Sequence, residues 1–448
     1  MIDQDEVRDT ATNLGLTEAN VQRDYVFGWL LAGIFSESSL GEEIALKGGN
    51  ALRKGYFADT RFSADLDFTT EGSIRPDALI EQLNAVCRLV QSQTGVEFDL
   101  SRNTLVDIQE IDQTKRAYKI RLYFRDFASG SDHITLKIRV DVTEHDRIYL
   151  PIQSRQLLHP YSDADECAST IRCIKVEEAL ADKMKCLLQR RHCFDLFDLV
   201  YGVFLTREVA IDKQEVVSVF LRKTIFSPSP PAARQLLQGL PFYLLRKYWD
   251  KLVAPARSLI DFDRATELLL SGIGELFAPF GHGTTSALAY YPAELRNPIL
   301  TAGSERRLVS MTYHGASRLV EPYSLVFKRR RDGVAQEYFF GWDLTGGNSG
   351  PGTKTFMHYD IQSLEVTQET FEPRFEISLA KAGDASMTGI FTGSGRRSIG
   401  RSRRNAAPFV VVCSACGKRF HRQRPGTHIN KHNDEWGSRC IGGTGYYG

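Results

Sequence analysis

Residues 46–52 read Leu46-Lys47-Gly48-Gly49-Asn50-Ala51-Leu52, and twelve positions beyond Gly49 comes Arg61-Phe62-Ser63-Ala64-Asp65-Leu66-Asp67-Phe68-Thr69. The first string predicts a Gly-Gly turn opening a short helix. The second alternates with the period of a strand. Ala64, Leu66 and Phe68 share one face; Ser63, Asp65, Asp67 and Thr69 share the other. The two carboxylates then lie about 7 Å apart along one face. Neighbouring acids repel unless a cation sits with them, and a Mg²⁺ ion carrying a triphosphate suits such a pair, because hard cations take carboxylate and phosphate oxygens. Gly48 and Gly49 let the backbone approach the phosphates, with a helix N-terminus facing them.

The flanking sequence supplies a core for this strand and a third acid. Residues 3–24 are polar and read as helical, with Thr17 capping a helix from Glu18, and Tyr25 to Phe35 carries an apolar stripe that packs under the turn. Pro76 starts a helix to about Gln93, with Leu79, Leu83, Val86, Leu89 and Val90 at helical spacing. Three strands are expected next: Val96–Leu100, Arg116–Phe127 and Ile134–Thr143. In the last, Ile134, Leu136, Ile138, Val140 and Val142 form an apolar face, and Asp141 stands on the polar one. On the same side of a sheet as Asp65 and Asp67, Asp141 is a third carboxylate.

The string Gly48-Gly49…Arg61-x-Ser63-x-Asp65-x-Asp67 resembles the first motif of the nucleotidyltransferase superfamily, in particular the AbiEii/AbiGii (MenT-like) toxin nucleotidyltransferases. Many members of that family read Lys-Gly-Gly-Thr-Ala-Leu where this chain has Asn50 in place of the threonine. A second segment carries the likeness further. Val176, Leu180, Met184 and Leu187 mark a buried helical stripe with Glu178 and Lys183 beside it, and Cys193-Phe194-Asp195-Leu196-Phe197-Asp198 follows. The family has a Glu…Lys helix and then an Arg-Asp pair; Phe194 here replaces that arginine. The resemblance implies that Asp65 and Asp67 hold Mg²⁺ and the nucleotide, and that Lys47, Gly48, Gly49, Arg61 and Ser63 form the nucleotide cradle. It also implies that Lys183 contacts the triphosphate, that Asp195 holds this lysine or serves as base, and that Asp141 orients or deprotonates the acceptor hydroxyl. Asp198 reads as structural.

The resemblance further implies an α+β fold and a toxin of a bacterial defence or toxin–antitoxin system. Its substrates would be a nucleoside triphosphate and an RNA acceptor, the tRNA 3′ end, and its partner an antitoxin protein. The alternative is a nucleic-acid-binding regulator with a degenerate catalytic domain.

Beyond the nucleotidyltransferase core (1–170), residues 171–280 read as helical with a Pro-rich break at Ser227–Pro231, completing the active site. Residues 295–383 turn to β. Tyr313, His314, Arg318 and the run Tyr338-Phe339-Phe340 resemble a WYL domain, a small SH3-like barrel, with Tyr338-Phe339-Phe340 where Trp-Tyr-Leu would stand. Residues 384–408 form a Gly/Ser/Arg linker containing Arg396, Arg397, Arg401, Arg403 and Arg404. In 409–448, Cys413, Cys416, His428 and His432 have the spacing of a zinc finger, and Cys440 is able to replace one histidine. Such a finger serves nucleic acid, a protein partner or structure alone.

Composition excludes several classes. The 448 residues carry a formal charge of +1, so no whole-chain field draws nucleic acid, and any basic patch is local. No apolar run reaches the ~18–20 residues of a membrane helix, and the acidic, polar N-terminus does not read as a signal peptide. Eight cysteines, five of them scattered and three near the C-terminus, point to a reduced, cytoplasmic protein with one metal site.

Overall fold

The computed structural model describes residues 2–110, 115–127, 134–330, 332–347 and 350–391, and in the C-terminal segment 409–413, 415, 419–422, 428–429, 432, 440 and 444–447. The chain divides into two compact units. One comprises Met1–Leu187, Arg191–Lys223 and Pro241–Gly281; the other Leu188–Arg190, Thr224–Leu240 and His282–Gly448. The segment 171–280 is therefore shared between units, most of it lying with the N-terminal sheet.

The first unit opens with helices α1 (Gln4–Leu14) and α2 (Glu18–Glu37). Asp3 caps α1 by accepting the Glu6 N–H at 2.7 Å. From Val21 to Ile34 α2 is buried on almost every side, as an apolar helix must be. A short α3 (Leu40–Glu43) leads into β1 (Ile44–Lys47), α4 (Gly48–Gly55) and β2 (Asp65–Thr70). Helix α5 (Pro76–Thr94) begins at its proline and ends where Gly95 turns left-handed at φ 78°. Then come β3 (Thr104–Glu110), β4 (Arg116–Arg125), β5 (Thr135–Glu144), β6 (Gln153–Gln156), β7 (Thr170–Cys173) and helices α6 (Val176–Gln189), α7 (Cys193–Val200) and α8 (Lys213–Lys223).

The seven strands form one mixed sheet in the order β3-β4-β5-β2-β1-β7-β6. Leu66, Phe68, Tyr118, Ile120, Leu122, Phe124, Ile138, Val140 and Val142 are all buried. They sit at alternate positions of β2, β4 and β5, so a single apolar face covers the middle of the sheet, and α2 packs against β5 and α5. The opposite face keeps its polar residues.

Two expectations need correction. Val96–Leu100 does not form a strand; it touches the sheet by one bridge, Phe98 to Phe124, and the edge strand beside β4 is β3. An edge strand exposed at nearly every residue has no reason to alternate, so its sequence carries no period-2 signal. Ile134 is 64% exposed because β5 starts one residue later.

In the second unit, helix Ala293–Glu305 packs on β8 (Arg307–Tyr313), β9 (Ala316–Arg330) and β12 (Ile361–Thr370). With β10 (Ala335–Asp343) and β11 (Gly352–Phe356), the antiparallel order is β11-β10-β9-β8-β12, and β13 (Thr388–Phe391) adds parallel to β9. A 3₁₀ turn at His358–Asp360 precedes β12. Arg296 and Glu337, both fully buried, pair at 2.7 Å inside this unit, and Glu337 also accepts the Tyr291 N–H. A separate three-stranded sheet comprises β14 (Phe409–Cys413), β15 (Arg419–Arg422) and β16 (Gly445–Tyr447), ordered β15-β14-β16.

Candidate active site

Sheet register assembles the acids. β2 and β5 run parallel with Asp67 opposite Asp141 and Asp65 opposite Arg139. Residues directly opposite share a face and stand one strand spacing apart, about 4.8 Å between backbones. On the far side of β2, Lys47 faces Asp67. On the far side of β5, Lys119 faces Asp141 and Asp107 faces Lys119. A row of alternating charge thus crosses five strands, broken only where Asp67 and Asp141 meet without a cation between them.

The electrostatics register that break. Burial pushes the Asp67 carboxyl up, and Asp65 and Asp141 push it further; Lys47 and Lys183 oppose them, and the result is about 6. Burial and Asp65 likewise raise Asp141. Asp65 pairs with Arg139 at 3.5 Å, whereas Asp67 and Asp141 hold more negative charge than their neighbours offset. That excess, set among oxygen ligands only, fits a divalent cation such as Mg²⁺.

The Gly-Gly turn closes on the same place. Gly48 has φ 72°, and a Cβ there would meet the Asp67 carboxylate at 2.3 Å; one on Gly49 would meet the Ser63 hydroxyl at 2.6 Å. Neither position has room for a side chain, so the first turn of α4 lies against the acids. Asn50, fully buried, donates to the Asp65 carbonyl at 2.6 Å and fixes the start of β2. Ser63 donates to the Asp65 carboxylate at 3.2 Å. Lys47 donates to Thr143 at 3.2 Å and pairs with Asp146, which also pairs with Lys115. Burial raises the Asp146 carboxyl, but the two ammonium groups outweigh it and hold it at about 2.

Helices α6 and α7 bring in the remaining groups. Lys183 is buried, with its ammonium 2.8 Å from Asp198 and 3.5 Å from Asp195. Arg61 donates both Nε and Nη2 to Asp198 at 2.7 Å and lies over the Phe194 ring, 4.8 Å from its centroid. Burial raises Asp198, yet Arg61 and Lys183 overcome it and keep the carboxyl low. Burial would lower Lys183, yet Asp198 and Asp195 raise it. Asp198 therefore pairs with both cations, and Asp195 also meets Lys183, the contact that the resemblance gave it. Phe194 gives the Arg61 guanidinium a flat support. Glu178 is occupied elsewhere: it accepts the N–H groups of Tyr149 and Leu150 at 3.1 and 3.0 Å and pairs with Lys223.

Residues 29–265 match the family described as nucleotidyl transferase AbiEii toxin, type IV toxin–antitoxin system. The chain belongs to the AbiEii family. It is accordingly a nucleotidyltransferase, and the carboxylates above fall inside the matched span. Among solved structures, that of MenT4, a nucleotidyltransferase toxin from Mycobacterium tuberculosis H37Rv, is similar at 18% identity and a TM-score of 0.40, over 61% of this chain and 91% of that one. No curated protein matches the chain.

Sequence reasoning missed three contributors. Asp146 lies past the end of β5 in a turn without a pattern, and Lys119 looked like any outward-facing lysine. Asp198 is the third; three residues after Asp195 on α7, it had an equal claim by helical spacing. At the C-terminus the outcome is mixed. Cys413, His432 and Cys440 bring their ligand atoms within 4.8 Å of one another. His428 lies outside that group. It is exposed and forms a bridge with Thr444. Cys416 and the linker arginines lie outside the described residues. No helix among the described residues is long and apolar enough to cross a membrane.

Proposed function

We propose that this enzyme moves a nucleotidyl group from a nucleoside triphosphate to a hydroxyl of RNA, the 3′ end of tRNA, as a cytoplasmic toxin of a bacterial defence system held in check by an antitoxin. The observation that carries the proposal is the meeting of Asp65, Asp67 and Asp141 on one sheet face against the Gly48-Gly49 turn, inside a span that matches the AbiEii family.

Asp65 and Asp67, with Asp141 beside them, would hold Mg²⁺, which when bound offsets the charge of the triphosphate. The chain's own groups do the rest. Backbone N–H groups of the Gly-Gly turn and the N-terminus of α4 receive phosphate oxygens. Lys183, kept charged by Asp198, meets the negative charge that builds on the phosphates as the reaction proceeds. Asp141 takes the proton of the acceptor hydroxyl; its raised affinity for protons and its place on an open face favour it over Asp195, which is fully buried. The acceptor oxygen forms its bond to the α-phosphorus, the bond from that phosphorus to the bridging oxygen breaks, and pyrophosphate leaves.

The test is to incubate the protein with each labelled triphosphate, Mg²⁺ and total tRNA, comparing wild type with Asp65→Ala. Label on RNA from wild type alone is the expected result. Label on protein would redirect the acceptor to a polypeptide. No label with any triphosphate would favour the regulator with a degenerate catalytic domain, a reading that the intact set of carboxylates and Lys183 does not support. The β8–β12 sheet is proposed to read RNA or a trigger ligand, and crosslinking of RNA to the first unit alone would count against that.

A further inference from the structure

The sheet β15-β14-β16 has only three strands. Among the described residues its core is Val411, Cys413 and Ile429, with Phe420 and Cys440 half-buried against them. Sheets this small hold together through disulfides or a metal.

Cys413, His432 and Cys440 come from three separate stretches of chain and converge within 4.8 Å. The Cys413 and Cys440 sulfurs are 3.7 Å apart. A disulfide needs about 2.05 Å. Two thiolates on a tetrahedral zinc, each about 2.3 Å from the ion, stand about 3.8 Å apart along the tetrahedron edge. The surroundings fix the donors: the Cys440 N–H donates to the His432 carbonyl at 2.9 Å, and the Phe420 ring meets the His432 ring edge-on, 4.8 Å between centroids. Two sulfurs and an imidazole select zinc over magnesium or calcium.

We propose that Cys413, His432 and Cys440 bind a structural Zn²⁺ ion, so that Cys440 takes the place expected of His428. Both thiols lose their protons on binding. The ion ties β14 to the two stretches of chain that carry His432 and Cys440.

Zinc in the purified full-length protein is measured by mass spectrometry of the metal. Wild type should carry about one ion per chain. Cys413→Ser, His432→Ala and Cys440→Ser should each lose nearly all of it, while His428→Ala keeps it. Since a ligand variant can lose metal by unfolding, the wild type is also exchanged into Co²⁺. Thiolate-to-cobalt charge-transfer bands together with tetrahedral d–d bands are expected. Zinc retained in Cys440→Ser, zinc lost in His428→Ala, or a wild type that takes neither metal would overturn the assignment. None of these results bears on nucleotidyl transfer.

Discussion

Two acidic clusters lie in the same unit, within reach of helix α4, and they are built in opposite ways. At its C-terminal half, Asp24 is buried and fully answered. It accepts Arg53 at 2.6 and 3.1 Å, Lys54 at 2.9 Å and Tyr161 at 2.9 Å. Burial raises its carboxyl, yet Arg53 and Lys54 drive it far below the ordinary range. At the N-terminus of α4, Asp67 meets Asp65 and Asp141 and is pushed up to about 6. The same helix thus anchors one cluster where charge is balanced and one where it is not. Balanced burial is what a fold needs. An acid excess held in place by a sheet and two glycines costs stability, and it is kept where a charged ligand makes up the difference.

The comparison can be broken by exchanging charge for its neutral isostere in each cluster. Asp67→Asn should lower nucleotidyl transfer by roughly 10²–10³-fold while leaving the protein folded, read by initial rates and by circular dichroism. Asp24→Asn should do the reverse: it strands two buried cations, destabilises by about 3–5 kcal/mol in denaturant titration, and affects activity only through the amount of folded protein. Asp198 lies between these cases, since it is buried and balanced but serves the site. Asp198→Asn should cost about 10–100-fold in rate, more than Asp195→Asn, because it releases both Arg61 and Lys183.

A pH experiment sharpens the contrast. His159 is buried, 3.0 Å from Asp163, and burial together with Lys54 lowers it to about 4 despite Asp163. Its unfolded value is near 6.5. Between these values the unfolded chain binds more protons than the folded one, so stability is full above about pH 6.5 and falls as pH drops toward 4. His159→Gln should flatten that slope in melting temperature, an effect of about 3 kcal/mol across the window. The smallest change expected is at Asp146. Asp146→Asn frees Lys47 and Lys115 from one anchor and should lower the rate severalfold, about 1 kcal/mol, with little loss of stability.

Much of the site was legible because strands and glycine turns write their geometry into sequence. The alternation at 63–69 put Asp65 and Asp67 on one face, and that at 134–143 put Asp141 on a polar face; which strands would adjoin was not written there. The parallel pairing of β2 with β5, which sets Asp67 against Asp141, is a tertiary fact. So is the pairing of Asp198 with both Arg61 and Lys183, which turns on where those two cations arrive. Edge strand β3 left no alternation because nothing covers it. At the C-terminus, histidines four apart signal a shared ligand set only if the chain is helical there, and His428 instead bridges Thr444.

The central claim is that the acid excess around Asp67 exists for a divalent cation that carries the nucleotide. Melting temperature measures it most directly, on wild type and Asp67→Asn, first without divalent metal and then with Mg²⁺ and each nucleoside triphosphate. The account predicts that Asp67→Asn melts higher than wild type in metal-free buffer at neutral pH, by on the order of 2 kcal/mol of relieved repulsion. It also predicts that only wild type gains stability from the added complex. An Asp67→Asn protein that melts lower than wild type without metal, or that gains as much from the complex, would contradict it.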